Sequence, residues 1–373
     1  MNIVLTYDSC WEYTTENQTP VWASLGTVDY VARLLEDAGY NILLVRTDDS
    51  FENNLRDIKN THPDTLVFWL NEFMQSGSGL DFFTLRTIEM VGMKHTGPSP
   101  AALSTGLNKE ASKNIFRMLS LPTPESVVVN MGDYSPIYKD INWEGFAFIK
   151  PLLQGGSKGI DEFSVININD RDALKEKVEQ IHLRFNEPAI VERYIGGLDT
   201  KELSAPVLIS NTNRLIELPI LELDLNKVSK RSGSFQFLTQ AFKEENRTKY
   251  KRIEDKYYLK IPADLDRETS EKIHLDVARI VNEVGCRDMA RVDIRSDSTG
   301  LYYIELNVNP GKNKFSYLMM SAYSLGLEYS EIIAFIPYQA LLRNGIQPTK
   351  KLEELVVPVT SYFETDLAFE TIG

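Results

Sequence analysis

The feature that most constrains this chain is the segment RVDIRSDSTGLYYIELNVNPG (residues 291–311), in which two alternating stretches flank a polar turn. Arg291 and Asp293 alternate with apolar residues before the turn, and Glu305 and Asn307 alternate with apolar residues after it. This period of two predicts a β-hairpin with one apolar face, in which Asp293 lies opposite Glu305 and Arg291 lies near Asn307. Two carboxylates about 4 Å apart repel by roughly 4 kcal/mol at an effective dielectric near 20. We therefore expect a cation between them.

The composition is that of an ordinary globular protein with a small-molecule partner. The 373 residues are 43% hydrophobic and 25% charged, which allows two or three packed units, and the net charge of −13 disfavours nucleic acid or an anionic membrane as the main partner. The absence of a long apolar run predicts no membrane span, and the N-terminus predicts a first strand rather than a signal peptide. Cys10 and Cys286 are far apart without metal-type spacing, so we expect a reducing compartment, the cytoplasm.

The order of predicted elements divides the chain into three units with an α/β fold. Residues 1–97 alternate strands and helices, which is typical of a parallel sheet covered by helices, and they lack a glycine-rich dinucleotide loop. The break HTGPSP leads into residues 98–192, in which a helix precedes strands around a glycine-rich loop. Residues 193–373 contain further strands, a helix before the hairpin, the hairpin and one C-terminal helix that ends before Gly345.

Two other segments carry residues suited to a nucleotide. In FAFIKPLLQGGSKGI, Lys150 ends a strand, and Ser157 lies in a glycine-rich loop whose N–H groups could meet phosphate oxygens. The alternative is a glycine-rich hairpin with a solvated lysine, and the loop is not a Walker A motif. In EPAIVERYIGGLDTKELSAPVL, backbone groups after Glu192 could meet an adenine, and Asp199 or Glu202 could hold a ribose. Here the alternative is an ordinary hairpin with surface acids.

In this order, the three segments resemble the ATP-grasp fold, and most closely its D-alanine:D-alanine ligase branch, from about Gly97 to Gly326. TGPSPAALSTGLNKEASKNIFRMLSLPTPE is similar to the family's first helix, lysine pair and exit turn, and KPLLQGGSKG to its phosphate loop. The most specific match is ARVDI followed by YYIELNVNPG, which resembles the family's metal hairpin. The resemblance implies an N-terminal Rossmann-like substrate domain (1–97), a central ATP-grasp lobe (98–192) and a C-terminal lobe with the metal site (193–373).

The resemblance also implies a set of site residues. Two Mg²⁺ ions, for which Mn²⁺ can substitute, would be bound by Asp293, Glu305 and Asn307. ATP would be bound by Lys109, Lys150, Gly156, Ser157, Glu192, Arg193, Ile195 and either Asp199 or Glu202. The catalytic residues would be Arg291, which faces the developing oxyanion, and Ser316. A loop would close over the phosphates with one of three residues that the sequence does not distinguish, Lys230, Arg231 or Lys249.

The activity implied is an ATP-dependent ligation of a small-molecule carboxylate and an amine. The carboxylate attacks the γ-phosphoryl group to give an acyl phosphate and ADP, and the amine then attacks the acyl phosphate to give the amide and phosphate. The chain departs from the family at several positions. Among them, a substrate-binding glutamate aligns near Pro20, and the first of two loop serines is Gly156. These departures predict an amino acid, dipeptide or biosynthetic intermediate rather than two D-alanines as substrates.

Three alternatives remain at this stage. The protein could be a D-alanine:D-alanine ligase itself, a ligase that loads an amino acid onto a carrier protein, or a nucleotide-binding module without catalysis. The resemblance further implies a homodimer that pairs through the N-terminal domain.

Overall fold

The structure is a computed structural model that describes residues 1–7, 25–70, 80–197, 199–228, 235–242, 258–364 and 368–369. Within these residues the chain forms three sheets. No helix in the described ranges is both long enough and apolar enough to cross a membrane.

The N-terminal sheet is parallel and has the strand order β2-β1-β3-β4. Three of its strands carry continuous apolar runs, which suits a sheet covered by helices. The elements are β1 (Asn2–Tyr7), α1 (Leu25–Asp37), β2 (Asn41–Arg46), α2 (Phe51–Thr61), β3 (Leu66–Phe68), α3 (Leu80–Val91) and β4 (Lys94–His95). The α/β prediction for this region is confirmed.

The central sheet is antiparallel and has the order β5-β8-β6-β7. Two helices precede it, and the second is capped by Asn108, whose side chain accepts hydrogen bonds from the N–H groups of Glu110 and Ala111. The elements are α4 (Pro100–Leu107), α5 (Lys109–Met118), β5 (Ser126–Val129), α6 (Ser135–Lys139), β6 (Phe146–Pro151), β7 (Val165–Asn167), α7 (Arg171–Phe185) and β8 (Ala189–Arg193).

The C-terminal sheet has seven strands and contains the predicted hairpin. Its central strand β9 pairs with β10, β11 and β13, and β13 pairs in turn with β14. The elements are β9 (Lys201–Ile209), β10 (Leu215–Glu217), β11 (Leu221–Leu223), α8 (Leu225–Val228), β12 (Leu259–Lys260), α9 (Arg267–Val284), β13 (Met289–Asp297), β14 (Gly300–Asn307), α10 (Tyr317–Tyr323), α11 (Tyr329–Arg343), α12 (Lys350–Thr360), a 3₁₀ turn (Ser361–Glu364) and β15 (Ala368–Phe369).

The hairpin register matches the prediction from alternation. Asp293 pairs with Glu305 and Arg291 pairs with Asn307, and a β-bulge follows Asp293. Helices α4 and α5 pack on β14, although they precede the central sheet in the chain. The domain boundaries at residues 97/98 and 192/193 stay predictions. Strand β8 ends at Arg193, one residue beyond the second predicted boundary.

A half-buried acid–histidine pair between the C-terminal sheet and helix α9 makes stability depend on pH. Glu217 Oε2 at the end of β10 lies 3.4 Å from His274 Nδ1 on α9. Burial raises the pKa of Glu217 to about 8 and lowers the pKa of His274 to about 4. Because an unfolded glutamate ionises near pH 4.5, the folded chain holds an extra proton above that pH, and stability falls as the pH rises towards 8.

We expect Glu217→Gln to remove this pH-dependent loss. Thermal unfolding should show a variant that is more stable than the wild type by about 1 kcal/mol or more at pH 8, with little difference at pH 4.5. The lowered pKa of His274 makes stability rise with pH between about pH 4 and 6.5, which is the opposite dependence. His274 is present in both the wild type and the variant. An equal shift at both pH values would contradict this account.

Candidate functional site

A cavity of about 150 Å³ lies between the central and C-terminal sheets. Strands β6 and β8 and the loop after β6 form one side, and β9, β13 and β14 form the other. The predicted site residues that line it are Lys109, Lys150, Gly156, Ser157, Glu192, Arg193, Ile195, Glu202, Arg291, Asp293, Glu305 and Asn307. Segments separated by nearly two hundred residues thus meet at one place.

Asp199 and Ser316 lie outside the cavity lining. Asp199 is exposed in the turn before β9. Ser316 begins α10, where its hydroxyl accepts a hydrogen bond from the Met319 N–H at 3.4 Å. The residues Pro20, Lys230, Arg231 and Lys249 fall outside the described ranges.

A buried charge cluster forms one end of the cavity. The Glu192 side chain is 4% exposed, and its carboxylate lies 2.8 Å from Lys150 Nζ and 3.3 Å from Lys113 Nζ. Burial favours the neutral form of Glu192, but the two lysines outweigh this effect and lower the pKa of its carboxyl. Burial also lowers the pKa of Lys113 to about 8. The Glu192 carboxylate is therefore the counter-charge of two lysines in the wall of the cavity.

The loop after β6 has the backbone of an anion cradle. Gly156 and Ser157 both have left-handed φ values, +66° and +63°. Gly159 has a φ of +76°, and a Cβ there would lie 2.7 Å from the Pro151 ring. Loops with left-handed residues can turn successive N–H groups to one side, which is how backbone nests hold phosphates. Lys109 supports the start of the loop, because its ammonium donates to the Gln154 carbonyl at 2.5 Å.

The hairpin face presents the side-chain oxygens of Asp293, Glu305 and Asn307 at the other end of the cavity. The Asp293 carboxylate accepts hydrogen bonds from Arg291 Nε at 2.9 Å, Arg291 Nη2 at 2.8 Å, Ser204 Oγ at 2.7 Å and Asn307 Nδ2 at 3.1 Å. Arg291 is thus an ion-pair partner of Asp293, which alternation alone did not reveal.

The oxygen ligands that the hairpin offers fit a hard divalent cation. Two carboxylates and a carboxamide are oxygen ligands, and Mg²⁺ typically takes one or two carboxylates and completes its shell with water and phosphate oxygens. Across the described residues no group of three or more His, Cys, Asp or Glu side chains could hold a metal alone. The hairpin therefore suits an ion that a nucleotide helps to bind, with Asp293, Glu305 and Asn307 as its protein ligands.

An aromatic and cationic wall completes the cavity. Tyr194 stacks near Phe148 with ring centroids 6.4 Å apart, and the Arg295 guanidinium lies 5.4 Å from the Tyr194 ring. Arg295 lies opposite Glu202 in the register of β13 and β9. Lys113 and Arg295 were not among the predicted site residues. Lys113 follows Lys109 by one helical turn, and Arg295 continues the alternation of the hairpin strand, so both signals were present in the sequence.

A family model described as D-ala D-ala ligase C-terminus matches residues 119–336. The chain belongs to this family. It is similar to the D-alanine--D-alanine ligase of Actinobacillus pleuropneumoniae serotype 5b (strain L20), at 26% identity over 312 residues, which cover 83% of this chain and 90% of that protein. The predicted family and enzyme class are confirmed: this protein is an ATP-dependent ligase.

Solved structures show the same fold. D-alanine--D-alanine ligase from Bacillus anthracis complexed with ATP has a TM-score of 0.63 and 18% identity, covering 93% of this chain and 99% of that one. VanG D-Ala:D-Ser ligase from Enterococcus faecalis has a TM-score of 0.65 and 20% identity, covering 91% and 99%. The ATP-grasp prediction is confirmed.

Proposed function

We propose that this protein joins two amino acids through an acyl phosphate at the expense of ATP, with D-alanine as the first candidate for both. The observation that carries the proposal is the cavity between the sheets, which has buried lysines and an anion-cradling loop at one end and the opposed Asp293 and Glu305 at the other. The expectation of substrates other than two D-alanines is less well supported than its alternative, because the relatives are named D-alanine--D-alanine ligases.

Each part of the cavity has a chemical task in this reaction. Lys109 and Lys150 would offset the charge of the ATP phosphates, and the loop N–H groups would orient the γ-phosphoryl group towards the attacking carboxylate. Mg²⁺, held by Asp293, Glu305 and Asn307, would supply charge neutralisation during phosphoryl transfer. Arg291 lies next to this position and would stabilise the oxyanion that forms when the amine attacks the acyl phosphate.

A second candidate is ligation of a different amino acid, a dipeptide or a biosynthetic intermediate. Gly156 lacks the hydroxyl that the family's loop serine provides. In addition, the half-buried Tyr317 ring lies 5.4 Å from the Arg291 guanidinium. These two features would change what the site accepts next to the phosphates. A carrier-protein substrate and a homodimer also stay predictions.

The substrate can be tested by phosphate release with ATP and Mg²⁺ and a panel of D- and L-amino acids in pairs, with mass spectrometry of the products. The proposal predicts turnover with D-alanine alone and a product lighter by one water than two alanines. Turnover only with another pair would favour the second candidate. ATP binding without turnover across the whole panel would favour a carrier-protein substrate or a non-catalytic module.

Glu202 is the better candidate than Asp199 for the ribose, since Glu202 lines the cavity and Asp199 does not. We expect Glu202→Gln to weaken ATP binding by about fivefold to tenfold, the cost of losing a charged hydrogen-bond acceptor. Asp199→Asn, which removes the same charge from the exposed turn, is the matched control and should leave affinity unchanged. If Glu202 contacts the ribose hydroxyls, the loss should shrink with 2′-deoxy-ATP, and equal losses with both nucleotides would contradict the assignment.

A further inference from the structure

The far end of the phosphate loop is held from the opposite lobe by Gln240. The Gln240 N–H donates to the Ile160 carbonyl at 3.0 Å. Its side-chain Oε1 accepts the Gly159 N–H at 3.1 Å. The backbone and the side chain of Gln240 thus form hydrogen bonds with two consecutive residues of the loop.

The loop needs stabilising hydrogen bonds because its backbone conformation is intrinsically unfavourable. Ser157 has a left-handed φ, which a non-glycine residue seldom adopts without support. The first half of the loop is anchored within its own lobe, where Glu187 Oε1 accepts the Leu153 N–H at 2.8 Å and Lys109 donates to the Gln154 carbonyl. At the second half, Gln240 of the C-terminal lobe forms hydrogen bonds with Gly159 and Ile160.

The segment that carries Gln240, residues 235–242, is itself fixed to the cavity wall. The Tyr194 hydroxyl accepts the Gln236 N–H at 2.9 Å and donates to the Gln236 carbonyl at 3.2 Å. Arg295 Nη2 donates to the same carbonyl at 2.5 Å. A continuous set of hydrogen bonds therefore runs from the hairpin strand, through this segment, to the phosphate loop.

We propose that Gln240 is a positioning residue that holds the phosphate loop in the arrangement that meets the ATP phosphates. The side-chain oxygen fixes the Gly159 N–H, and the adjoining Ser157 and Gly156 then keep their left-handed conformation before ATP arrives. Loss of this acceptor would let the loop sample other conformations, so that ATP binding would have to order it. This inference rests on the proposed function only in that the loop binds ATP phosphates.

The test compares three variants. Gln240→Met has nearly the same shape but no acceptor, Gln240→Glu keeps an acceptor oxygen, and Gln180→Met makes the same change on the exposed surface of α7. Hydrogen exchange of residues 154–160 is measured in the nucleotide-free protein. KM for ATP and kcat are then measured with the amino-acid pair that the substrate panel identifies, and ATP affinity is measured by calorimetry.

Gln240→Met is expected to accelerate exchange of the loop amides and to raise KM and Kd for ATP by about threefold to tenfold, with kcat changed by less than about twofold. Gln240→Glu should keep wild-type exchange in the nucleotide-free protein, and Gln180→Met should match the wild type throughout. Unchanged exchange in Gln240→Met, or equal acceleration in Gln240→Glu, would overturn the proposal. A wild type that binds no ATP would contradict the proposed function instead, and with it the role of Gln240 towards ATP.

Discussion

Asp293→Asn is expected to lower the rate of ADP formation by at least about a hundredfold while the protein stays folded. The substitution keeps the size of the side chain but removes the charge that faces Glu305 in the hairpin and that accepts four hydrogen bonds from Arg291, Ser204 and Asn307. A neutral carboxamide is a weaker ligand for Mg²⁺, and it leaves the Arg291 guanidinium without its carboxylate partner. The rate is measured by coupled ADP detection at saturating Mg²⁺.

The control and a second readout separate the metal role from a general effect of the substitution. Asp297→Asn changes the same residue type at the end of the same strand, where the side chain supports the turn by accepting from Thr299, and it should leave the rate within about twofold of the wild type. Binding of Mn²⁺ in the presence of ADP, followed by electron paramagnetic resonance, should weaken in Asp293→Asn only. Wild-type Mn²⁺ affinity in Asp293→Asn would contradict the assignment even if the rate fell.

Glu192→Gln is expected to lower the free energy of unfolding by about 3 kcal/mol, the cost of leaving buried charges without their partner. The Glu192 carboxylate is the counter-charge of Lys113 and Lys150, whose side chains are 0% and 6% exposed. Chemical denaturation at pH 7 measures the change. Glu179→Gln, which breaks an exposed pair with Lys175 on α7, is the matched control and should cost less than about 1 kcal/mol.

Two further comparisons test whether charge pairing is the cause of the lower stability of Glu192→Gln. Because the lysines lower the pKa of Glu192, its stabilising effect is present above its usual pKa of 4.5 and is lost as the pH falls through the lower folded value. The difference between wild type and Glu192→Gln should therefore shrink in acid. Lys113→Met combined with Glu192→Gln should cost less than the sum of the single changes. A constant difference from pH 7 to pH 3, or strict additivity, would argue that Glu192 acts through packing.

The hairpin could be predicted from the sequence because its information is local. Alternation indicated which side chains share a face. The pairing of Asp293 with Glu305 also depends on the β-bulge after Asp293, which shifts the register by one residue and which the alternation does not show. Helix termini such as that of α9, where Gly285 adopts a left-handed φ, are also local signals. Helix α12, which contains Pro358, was not predicted from the sequence.

The arrangement of the site depends on contacts that no local pattern contains. The choice of Glu202 over Asp199 follows from the pairing of β9 with β13, which joins positions about ninety residues apart. The burial of Lys113 requires the turn before β5 to close over it, where Thr123 and the Pro124 carbonyl accept its hydrogen bonds at 3.0 Å. The contact of Gln240 with Gly159 crosses between lobes. Such pairings are set by tertiary packing, and a single sequence does not encode them in any periodic form.

The central claim is that a substrate carboxylate attacks the γ-phosphoryl group of ATP to form an acyl phosphate. The most direct measurement uses D-alanine, or whichever acid the substrate panel identifies, with both carboxylate oxygens replaced by ¹⁸O. If an acyl phosphate forms, one labelled oxygen leaves with the phosphoryl group when the amine attacks, and mass spectrometry should find one ¹⁸O in the released phosphate for each amide bond formed. Unlabelled phosphate alongside labelled product, or release of AMP and pyrophosphate in place of ADP and phosphate, would contradict the account.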